Sequence, residues 1–283
     1  MKSTTRRGAL AAALFLSILT APTRAEAGPW TKGWGELYVK LGENFFISQS
    51  YRDASGNVIS GTNYSGFTTA LYFEVGLPVG FQLFAYLPYT VAENNFDGGN
   101  RYLKASGGDA QMGLQYSPHF LDLPFPVAAR LEFKVPFYEV AEVSPSFPAP
   151  GDGQLDITAW LSAGGSLGSI PLYFFAEVGY RHRTEHFVGD DTGLAYEDGI
   201  SMYAQVGYTF FDRVLLAVNF GGIMTLGDDT VTKSYLTVGP SLYIPVYQGL
   251  AVEAGFDPIV YTKNSADGFG LSVGLSYKRQ EST

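Results

Sequence analysis

Residues 268–277 read GFGLSVGLSY, a segment in which large apolar side chains alternate strictly with glycine and serine. Successive side chains of a β-strand point to opposite faces, so this segment has one apolar face and one face of small residues. The same alternation recurs about a dozen times along the chain. It is typical of a transmembrane β-barrel, whose strands present apolar residues to lipid and small or polar residues to the lumen.

The N-terminus has the three-part layout of a secretory signal peptide. Basic residues lie within the first seven positions, an apolar run covers residues 9–19, and an A-x-A cleavage site ends at Ala27. The apolar run is shorter than the about 20 residues that a membrane-spanning helix needs. We therefore expect cleavage of residues 1–27, which leaves one outer-membrane β-barrel domain over residues 28–283.

Charge and cysteine content exclude some classes of protein. The chain has a net charge of −9 and no cysteine, and residues 1–27 hold several of its basic side chains, so the mature chain is more acidic still. This charge argues against nucleic acid as a partner. The absence of cysteine agrees with a barrel, because a closed sheet has no open edges to protect and needs no disulfides.

The alternating segments predict an all-β chain of twelve antiparallel strands. They cover approximately residues 34–47, 63–76, 80–92, 107–117, 127–138, 153–166, 171–183, 199–211, 213–225, 234–246, 249–262 and 267–278. Short joins alternate with the longer, polar connections 48–62, 93–106, 139–152, 184–198, 226–233 and 263–266. An even strand number, short periplasmic turns and longer outer loops are typical of bacterial outer-membrane barrels. The last strand is then expected to pair with the first, which begins near Trp34.

A soluble β-sandwich is the alternative fold, since its strands also alternate. Sandwiches rarely combine strands of this length with a regular succession of short and long connections, so we favour the barrel. The expected location is the outer membrane of a Gram-negative cell, with membrane lipids and lipopolysaccharide as partners. The barrel-assembly machinery is a further expected partner, because Tyr277 closes the last alternating strand with an aromatic residue, although residues 278–283 extend past it.

Charged side chains occur on the inward parity of the predicted strands. These lumen-lining candidates are Glu36, Lys40, Glu74, Asp109, Arg130, Glu132, Lys134, Asp156, Glu177, Arg181, Arg183, Glu253 and Asp257. Twelve strands give a backbone diameter of roughly 24 Å, and side chains reduce the free bore to about 10 Å or less. The charges are therefore either paired within a filled lumen or exposed along a narrow passage, and both alternatives remain open.

Aromatic residues share that inward parity, namely Tyr72, Phe84, Tyr86, Tyr173, Phe175, Tyr203 and Tyr243. A guanidinium binds a carboxylate with two hydrogen bonds or stacks on a ring. A bore that mixes rings with arginine favours amphipathic aromatic solutes over bare ions or sugars. We expect no cofactor and no metal site, because the acidic loop tips at 190–191, 197–198 and 228–229 suit solvated turns.

An outer-membrane lipid hydrolase is the enzymatic alternative. Some twelve-stranded barrels are phospholipases that use Ser, His and Asn, and the only histidines here are His119, His182 and His186. His119 falls in a predicted periplasmic turn, and no serine follows two residues after His182, as the local pattern of those enzymes requires. We therefore expect no catalytic site.

Several short segments resemble one outer-membrane family. They are LYFE at 71–74, QLFAYLPY at 82–89, Gly108-Asp109, GDGQLD at 151–156 and GYRHR at 179–183. They resemble the family associated with the meta-pathway of phenol degradation, over most of the mature chain. The resemblance implies a barrel that takes up phenolic or other hydrophobic compounds. We predict a passive channel for small solutes, with a structural barrel plugged by its own ion pairs as the alternative.

Overall fold

The structure, a computed structural model, describes residues 28–96, 99–119, 121, 123–138, 148, 151, 153–168, 170–186, 196–211, 213–228 and 232–279. The predicted signal peptide, residues 1–27, lies outside the described residues. The strands are β1 (Leu37–Arg52), β2 (Val58–Gly76), β3 (Phe81–Phe96), β4 (Arg101–Gly107), β5 (Asp109–Tyr116), β6 (Val127–Pro136), β7 (Gln154–Leu167), β8 (Leu172–His186), β9 (Gly199–Phe210), β10 (Val214–Thr225), β11 (Ser234–Tyr247), β12 (Leu250–Lys263) and β13 (Ser265–Arg279).

These strands form one closed antiparallel barrel. Both β4 and β5 pair with β3, so they are two halves of one barrel strand and the barrel has twelve strands, as predicted. Closure is made by β1 and β13, which pair from Leu37 opposite Arg279 to Arg52 opposite Ser265. The predicted pairing of the last strand with the first is confirmed.

The break between β4 and β5 is at Gly108. Its N–H donates to the Pro88 carbonyl at 3.0 Å, and its carbonyl accepts from the Phe137 N–H at 3.1 Å. The register places Ser106 beside Thr90 and Asp109 beside Pro136, so the extra residue shifts the inward parity from even to odd numbers. Gly108 is therefore a bulge that redirects the side chains without opening the barrel.

Connections outside the strands are turns, together with one short 3₁₀ helix, Pro78–Gly80, in the described residues. That turn, the turn at Gln248 and Gly249, and the start of β1 lie at the same end of the barrel, which we call the short-turn end. The opposite end is the long-loop end. No helix in the described part of the chain is long and apolar enough to cross a membrane.

Three of the predicted outer connections are wrong in extent. The β1 and β2 strands continue through the predicted loop 48–62 and leave only a turn at 53–57, where Asp53 Oδ1 accepts from the N–H groups of Ser55 at 2.9 Å and Asn57 at 2.8 Å. Predicted loop 93–106 reduces to 97–100, and 263–266 reduces to Asn264. Backbone pairing needs no apolar face, so antiparallel strands continue through polar residues beyond the apolar band. Much of 139–152 and 184–198 lies outside the described residues.

The outer surface of the barrel is apolar. On β13, Leu271, Val273 and Leu275 leave 44%, 51% and 54% of their surface exposed, whereas Ser276 on the other parity is 2% exposed. A contiguous apolar surface of this kind is suited to lipid rather than water. Exposed aromatics flank it, with Trp34, Phe211, Tyr247 and Tyr277 toward the short-turn end and Tyr51, Tyr180 and Tyr261 toward the long-loop end. Glu43 also faces outward, and it accepts a hydrogen bond from Thr69 at 2.9 Å.

Candidate functional site

The two sides of the lumen differ in packing. On β6 and β7 the inward side chains of Glu132, Lys134, Asp156 and Thr158 are buried. We call the inward faces of β3, β5, β6, β7 and β8 the packed wall. Across the lumen, β12 and β13 present inward residues that are mostly glycine and serine and are partly exposed, and Asn44 beside them on β1 is exposed. We call the inward faces of β12, β13 and β1 the open wall.

Residues 28–33, which precede β1, enter the lumen at the short-turn end. Pro29 is fully buried, and the Trp30 ring centre lies 6.3 Å from that of Tyr173 and 6.2 Å from that of Phe175, both nearly perpendicular. The Gly28 carbonyl accepts a hydrogen bond from Gln115 Nε2 at 2.9 Å. This N-terminal segment (residues 28–33) therefore lies against the packed wall.

Lys32 ties the N-terminal segment to two more strands. Its backbone N–H donates to Gln82 Oε1 on β3 at 2.7 Å, and its Nζ lies 3.0 Å from Glu74 Oε2 on β2. The Lys32 ammonium also lies 5.6 Å from the centre of the Tyr38 ring. Gly76 permits this close approach, because a Cβ there would lie 1.8 Å from the Gly33 carbonyl oxygen.

Arg130 occupies the middle of the packed wall. Its two terminal nitrogens face the Glu177 carboxylate at 3.3 and 3.4 Å, and its Nε lies 3.6 Å from Glu132 Oε2. The guanidinium carbon lies 4.7 Å from the Trp160 ring centre and 5.5 Å from that of Phe84. The cation is thus fixed by one bidentate carboxylate and by two rings.

A second ion cluster lies on the packed wall toward the long-loop end. Lys134 Nζ lies 3.3 Å from Asp109 and 3.2 Å from Asp156. The same Asp156 carboxylate has Arg183 Nε at 3.5 Å and Arg181 Nη1 at 3.9 Å. Asp156 is 1% exposed, and these three cations compensate the cost of burying its carboxylate.

The remaining candidates lie nearer the open wall. Glu253 accepts hydrogen bonds from Lys40 Nζ at 2.6 Å and from the Tyr38 hydroxyl at 2.5 Å. Asp257 lies opposite Gly270 on β13. Glu36 lies one residue before β1, where its carboxylate accepts from the Gly33 N–H at 2.8 Å. The structure therefore groups most of the predicted lumen charges into ion pairs and leaves Glu36 and Asp257 outside them.

A cavity of about 160 Å³ lies between the N-terminal segment and Arg130. It is comparable to an engineered cavity of about 150 Å³ that binds benzene. Seven of its lining residues share the predicted inward parity, namely Tyr72, Glu74, Phe84, Arg130, Phe175, Glu177 and Tyr203. The cavity therefore combines aromatic faces with one guanidinium and two carboxylates.

Four lining residues escape the sequence analysis: Gly28, Trp30, Gln82 and Gln115. The two glutamines lie on the inward parity of β3 and β5 but are uncharged, so a search for charges and rings passes over them. Trp30 lies in a segment too short for a strand period. The one sequence signal that the N-terminal segment packs against the barrel interior is the presence of Trp30 and Lys32 between the predicted cleavage site and β1.

The described histidine side chains do not lie together in one site. The Nε2 atom of His119 lies 2.8 Å from the Thr31 hydroxyl at the short-turn end, and His182 Nδ1 lies 3.1 Å from Asp198 Oδ1 at the long-loop end. Partial burial opposes ionisation of Asp198, but hydrogen bonds from Tyr180, the Arg183 N–H and His182 outweigh it and lower its pKa. The His186 side chain lies outside the described residues. Among the described side chains, no group of three or more His, Asp or Glu could hold a metal ion.

Comparison with known proteins supports the fold. No protein-family model matches the chain, and no curated protein sequence matches it. An outer membrane channel from Pseudomonas putida F1 has a TM-score of 0.66 at 12% identity, over 92% of this chain and 100% of that one. KdgM porin gives 0.52 at 9% identity, over 86% and 99%. The translocator domain of autotransporter NalP from Neisseria meningitidis gives 0.52 at 10%, over 96% and 97%. At these identities the likeness concerns the fold, that of an outer-membrane barrel.

Proposed function

We propose that this chain is an outer-membrane channel for the passive uptake of small solutes, and that it favours amphipathic aromatic compounds such as phenolics. The observation that carries the proposal is the cavity inside the closed barrel, lined by aromatic rings and by the Arg130 guanidinium. In this proposal residues 1–27 are the cleaved export signal, and the short-turn end faces the periplasm. The apolar outer surface contacts membrane lipids and lipopolysaccharide, and the barrel-assembly machinery inserts the protein.

The solute class follows from the lining of the cavity. Trp30, Tyr72, Phe175 and Tyr203 offer ring faces and edges, which attract another ring in offset or perpendicular contact. Arg130 and Glu177 offer a donor and an acceptor for one polar group of the solute. A molecule with a single ring and a polar substituent satisfies both, whereas a sugar offers too little apolar surface. The family resemblance to barrels associated with phenol degradation implies the same class.

The open wall supplies room for passage. Around Asp257 its inward residues are small, for example Gly255, Gly270 and Ser272, whereas nearer the short-turn end the same wall carries the Lys40–Glu253 ion pair. A solute is then expected to move along the open wall while one side contacts the rings of the cavity. The rings that favour an aromatic solute thus lie across the lumen from the small residues that leave space for it.

The proposal is tested with the purified barrel in two membrane systems. In planar bilayers we expect discrete single-channel currents in KCl. In liposome-swelling measurements we expect faster entry of phenylalanine than of leucine, two zwitterions of similar size that differ in the ring. A folded barrel with no conductance and no solute entry contradicts the proposal, and equal entry of the two amino acids contradicts the aromatic preference.

A structural barrel is the second candidate, and one observation favours it. The N-terminal segment is held by the Lys32–Glu74 ion pair at 3.0 Å and by the Trp30 contacts, so it occupies the short-turn end of the lumen. If the lumen is filled in this way along its length, the same bilayer measurement gives no current. Heat-dependent mobility on gels verifies that the barrel is folded in that case.

A further inference from the structure

The inward carboxylates of this barrel are not equivalent. Glu74 has Lys32 at 3.0 Å, Glu177 has Arg130 at 3.3 Å, Asp109 has Lys134 at 3.3 Å, and Glu253 has Lys40 at 2.6 Å. Glu132 and Asp156 likewise face cations of the packed wall. Each of these six carboxylates has a cation within 4 Å. Arg130 alone serves two of them and three cations serve Asp109 and Asp156, so the six carboxylates and six cations sum to no net charge.

Asp257 is the exception on the open wall. In the part of the chain that the structure describes, no hydrogen bond or ion pair reaches its carboxylate. It lies among glycines, since a Cβ on Gly270 would lie 3.7 Å from the Asp257 Cβ and a Cβ on Gly255 would lie 3.8 Å from Asp257 Oδ2. Lys40 is the cation whose field acts on it, and Lys40 is bonded to Glu253. The carboxylate is therefore partly exposed and has no hydrogen-bond or ion-pair partner among the described residues.

Asp257 lies on the open wall, along the route that the small inward residues leave free for a solute. The packed wall buries its charges among side chains of β5–β8, whereas Asp257 lies on the side where glycine and serine leave space. A solute on this route passes an unpaired negative charge. Other inward charges without a described ion pair are Glu36, which accepts from the Gly33 N–H at the short-turn end, and Lys104, on β4 near the long-loop end beside Ala92.

We propose that Asp257 makes the bore selective for positively charged solutes, and that cationic aromatic molecules pass in preference to anionic aromatic molecules of the same size. The proposal rests on the channel function above and adds the charge class of the solute. The unpaired carboxylate attracts a cation and repels an anion along one shared route. The effect is electrostatic and acts in water, so it weakens as salt rises.

The test compares wild-type barrel, Asp257→Asn and Asp228→Asn in planar bilayers under a KCl gradient. Asp228 is the control for a carboxylate outside the bore, because it is fully exposed in a loop at the long-loop end, where it pairs with Lys263 at 3.5 Å. For the wild type and the control we expect a reversal potential that corresponds to a K⁺ preference of about fivefold near 0.1 M salt and little preference near 1 M. Asp257→Asn is expected to lose most of that preference at low salt without losing conductance. Asp257→Lys is expected to prefer Cl⁻.

Liposome uptake supplies the second measurement. Tyramine and 4-hydroxyphenylacetate share a phenol ring and a two-carbon side arm and differ in charge. We expect wild-type barrels to admit tyramine several times faster, and Asp257→Asn to bring the two rates together. If wild type conducts but shows the same reversal potential as Asp257→Asn, the charge assignment is overturned while the channel stands. If the folded wild type does not conduct at all, the channel proposal itself fails.

Discussion

The guanidinium carbon of Arg130 lies 4.7 Å from the centre of the Trp160 ring while its terminal nitrogens face Glu177 at 3.3 and 3.4 Å. The ring and the carboxylate constrain the guanidinium from two directions, so its position in the cavity is set before any solute arrives. A flexible, hydrated lysine does not have this double constraint. Arg130 is therefore both a strut of the packed wall and the fixed polar corner of the cavity.

Substitution of Arg130 is expected to lower the stability of the barrel, and more so when the positive charge is lost than when only the guanidinium geometry is lost. Arg130→Ala leaves the Glu177 and Glu132 carboxylates, both largely buried, without their cation, and we expect a loss of about 3 kcal/mol. Arg130→Lys keeps the charge but loses the fork and the ring contacts, and we expect a loss of about 1 kcal/mol. Urea unfolding in lipid vesicles measures both. The double variant Arg130→Met, Glu177→Gln is expected to recover part of the loss, and an Arg130→Ala barrel as stable as the wild type contradicts this view of the wall.

Trp30→Ala is expected to raise single-channel conductance. The substitution removes the perpendicular ring contacts with Tyr173 and Phe175 that hold the N-terminal segment in the lumen. The matched control is Trp34→Ala, because Trp34 is 59% exposed at the start of the barrel and makes no such contact with the lumen rings. Equal conductance of Trp30→Ala and wild type would show that the segment does not limit the bore.

Gly76→Ala is expected to displace the N-terminal segment or to prevent folding. The new Cβ would lie 1.8 Å from the Gly33 carbonyl oxygen, and a backbone atom cannot move aside as a flexible side chain can. Gly168→Ala is the control, since nothing lies within 4 Å of a Cβ there. Heat-dependent gel mobility reports folding, and limited proteolysis of the folded fraction reports the segment. A folded Gly76→Ala barrel whose segment stays protected contradicts the close approach.

Acid is expected to loosen the long-loop end at Asp198. The pKa of this carboxyl is lower in the folded protein than in the unfolded chain, because the hydrogen bonds from Tyr180, Arg183 and His182 outweigh the effect of partial burial. Its stabilising contribution is therefore present above the ordinary aspartate pKa of about 4 and is lost as the pH falls through the lower folded value. Hydrogen exchange of the Arg183 N–H, which donates to Asp198 at 2.9 Å, measures this change. In Asp198→Asn the exchange is expected to depend less on pH between about 5 and 2.

The barrel could be predicted because its signal is local. The alternation at 268–277 needs only one strand to be read, and it marks β13 and its pairing with β1. The ends of strands at the long-loop side could not be predicted in the same way. Residues such as Ser50 and Val58 pair through backbone hydrogen bonds above the apolar band, where side-chain polarity no longer reports the strand. The Gly108 bulge could not be predicted for a different reason: one extra residue changes the inward parity within the strand, and only the pairing with β3 and β6 reveals it.

The sequence predicts which side chains of the site face the lumen, but not which of them bond to each other. Parity places Tyr72, Phe84 and Arg130 on the inward face, and the structure has them around one cavity. That Arg130 bonds Glu177 depends on the registers of β6, β7 and β8 together, which no single strand contains. Glu43 departs from the rule of inward charge, since its strand carries a carboxylate toward the outer surface beside Thr69. The packing of Trp30 follows from tertiary contacts that have no periodic sequence signal.

The N-terminal segment has a consequence for the order of assembly. Gly28 bonds Gln115 on β5, Lys32 bonds Gln82 on β3, and Trp30 contacts Tyr173 and Phe175 on β8, so the surface that holds the segment is shared by three separate strands. Residues 28–33 are thus expected to reach their final position only after β3, β5 and β8 have assembled side by side. Until then the nascent barrel has an unobstructed short-turn end. Docking of the segment is then a late step of folding. The rate at which Trp30 fluorescence changes, as its ring contacts Tyr173 and Phe175, measures the rate of that step.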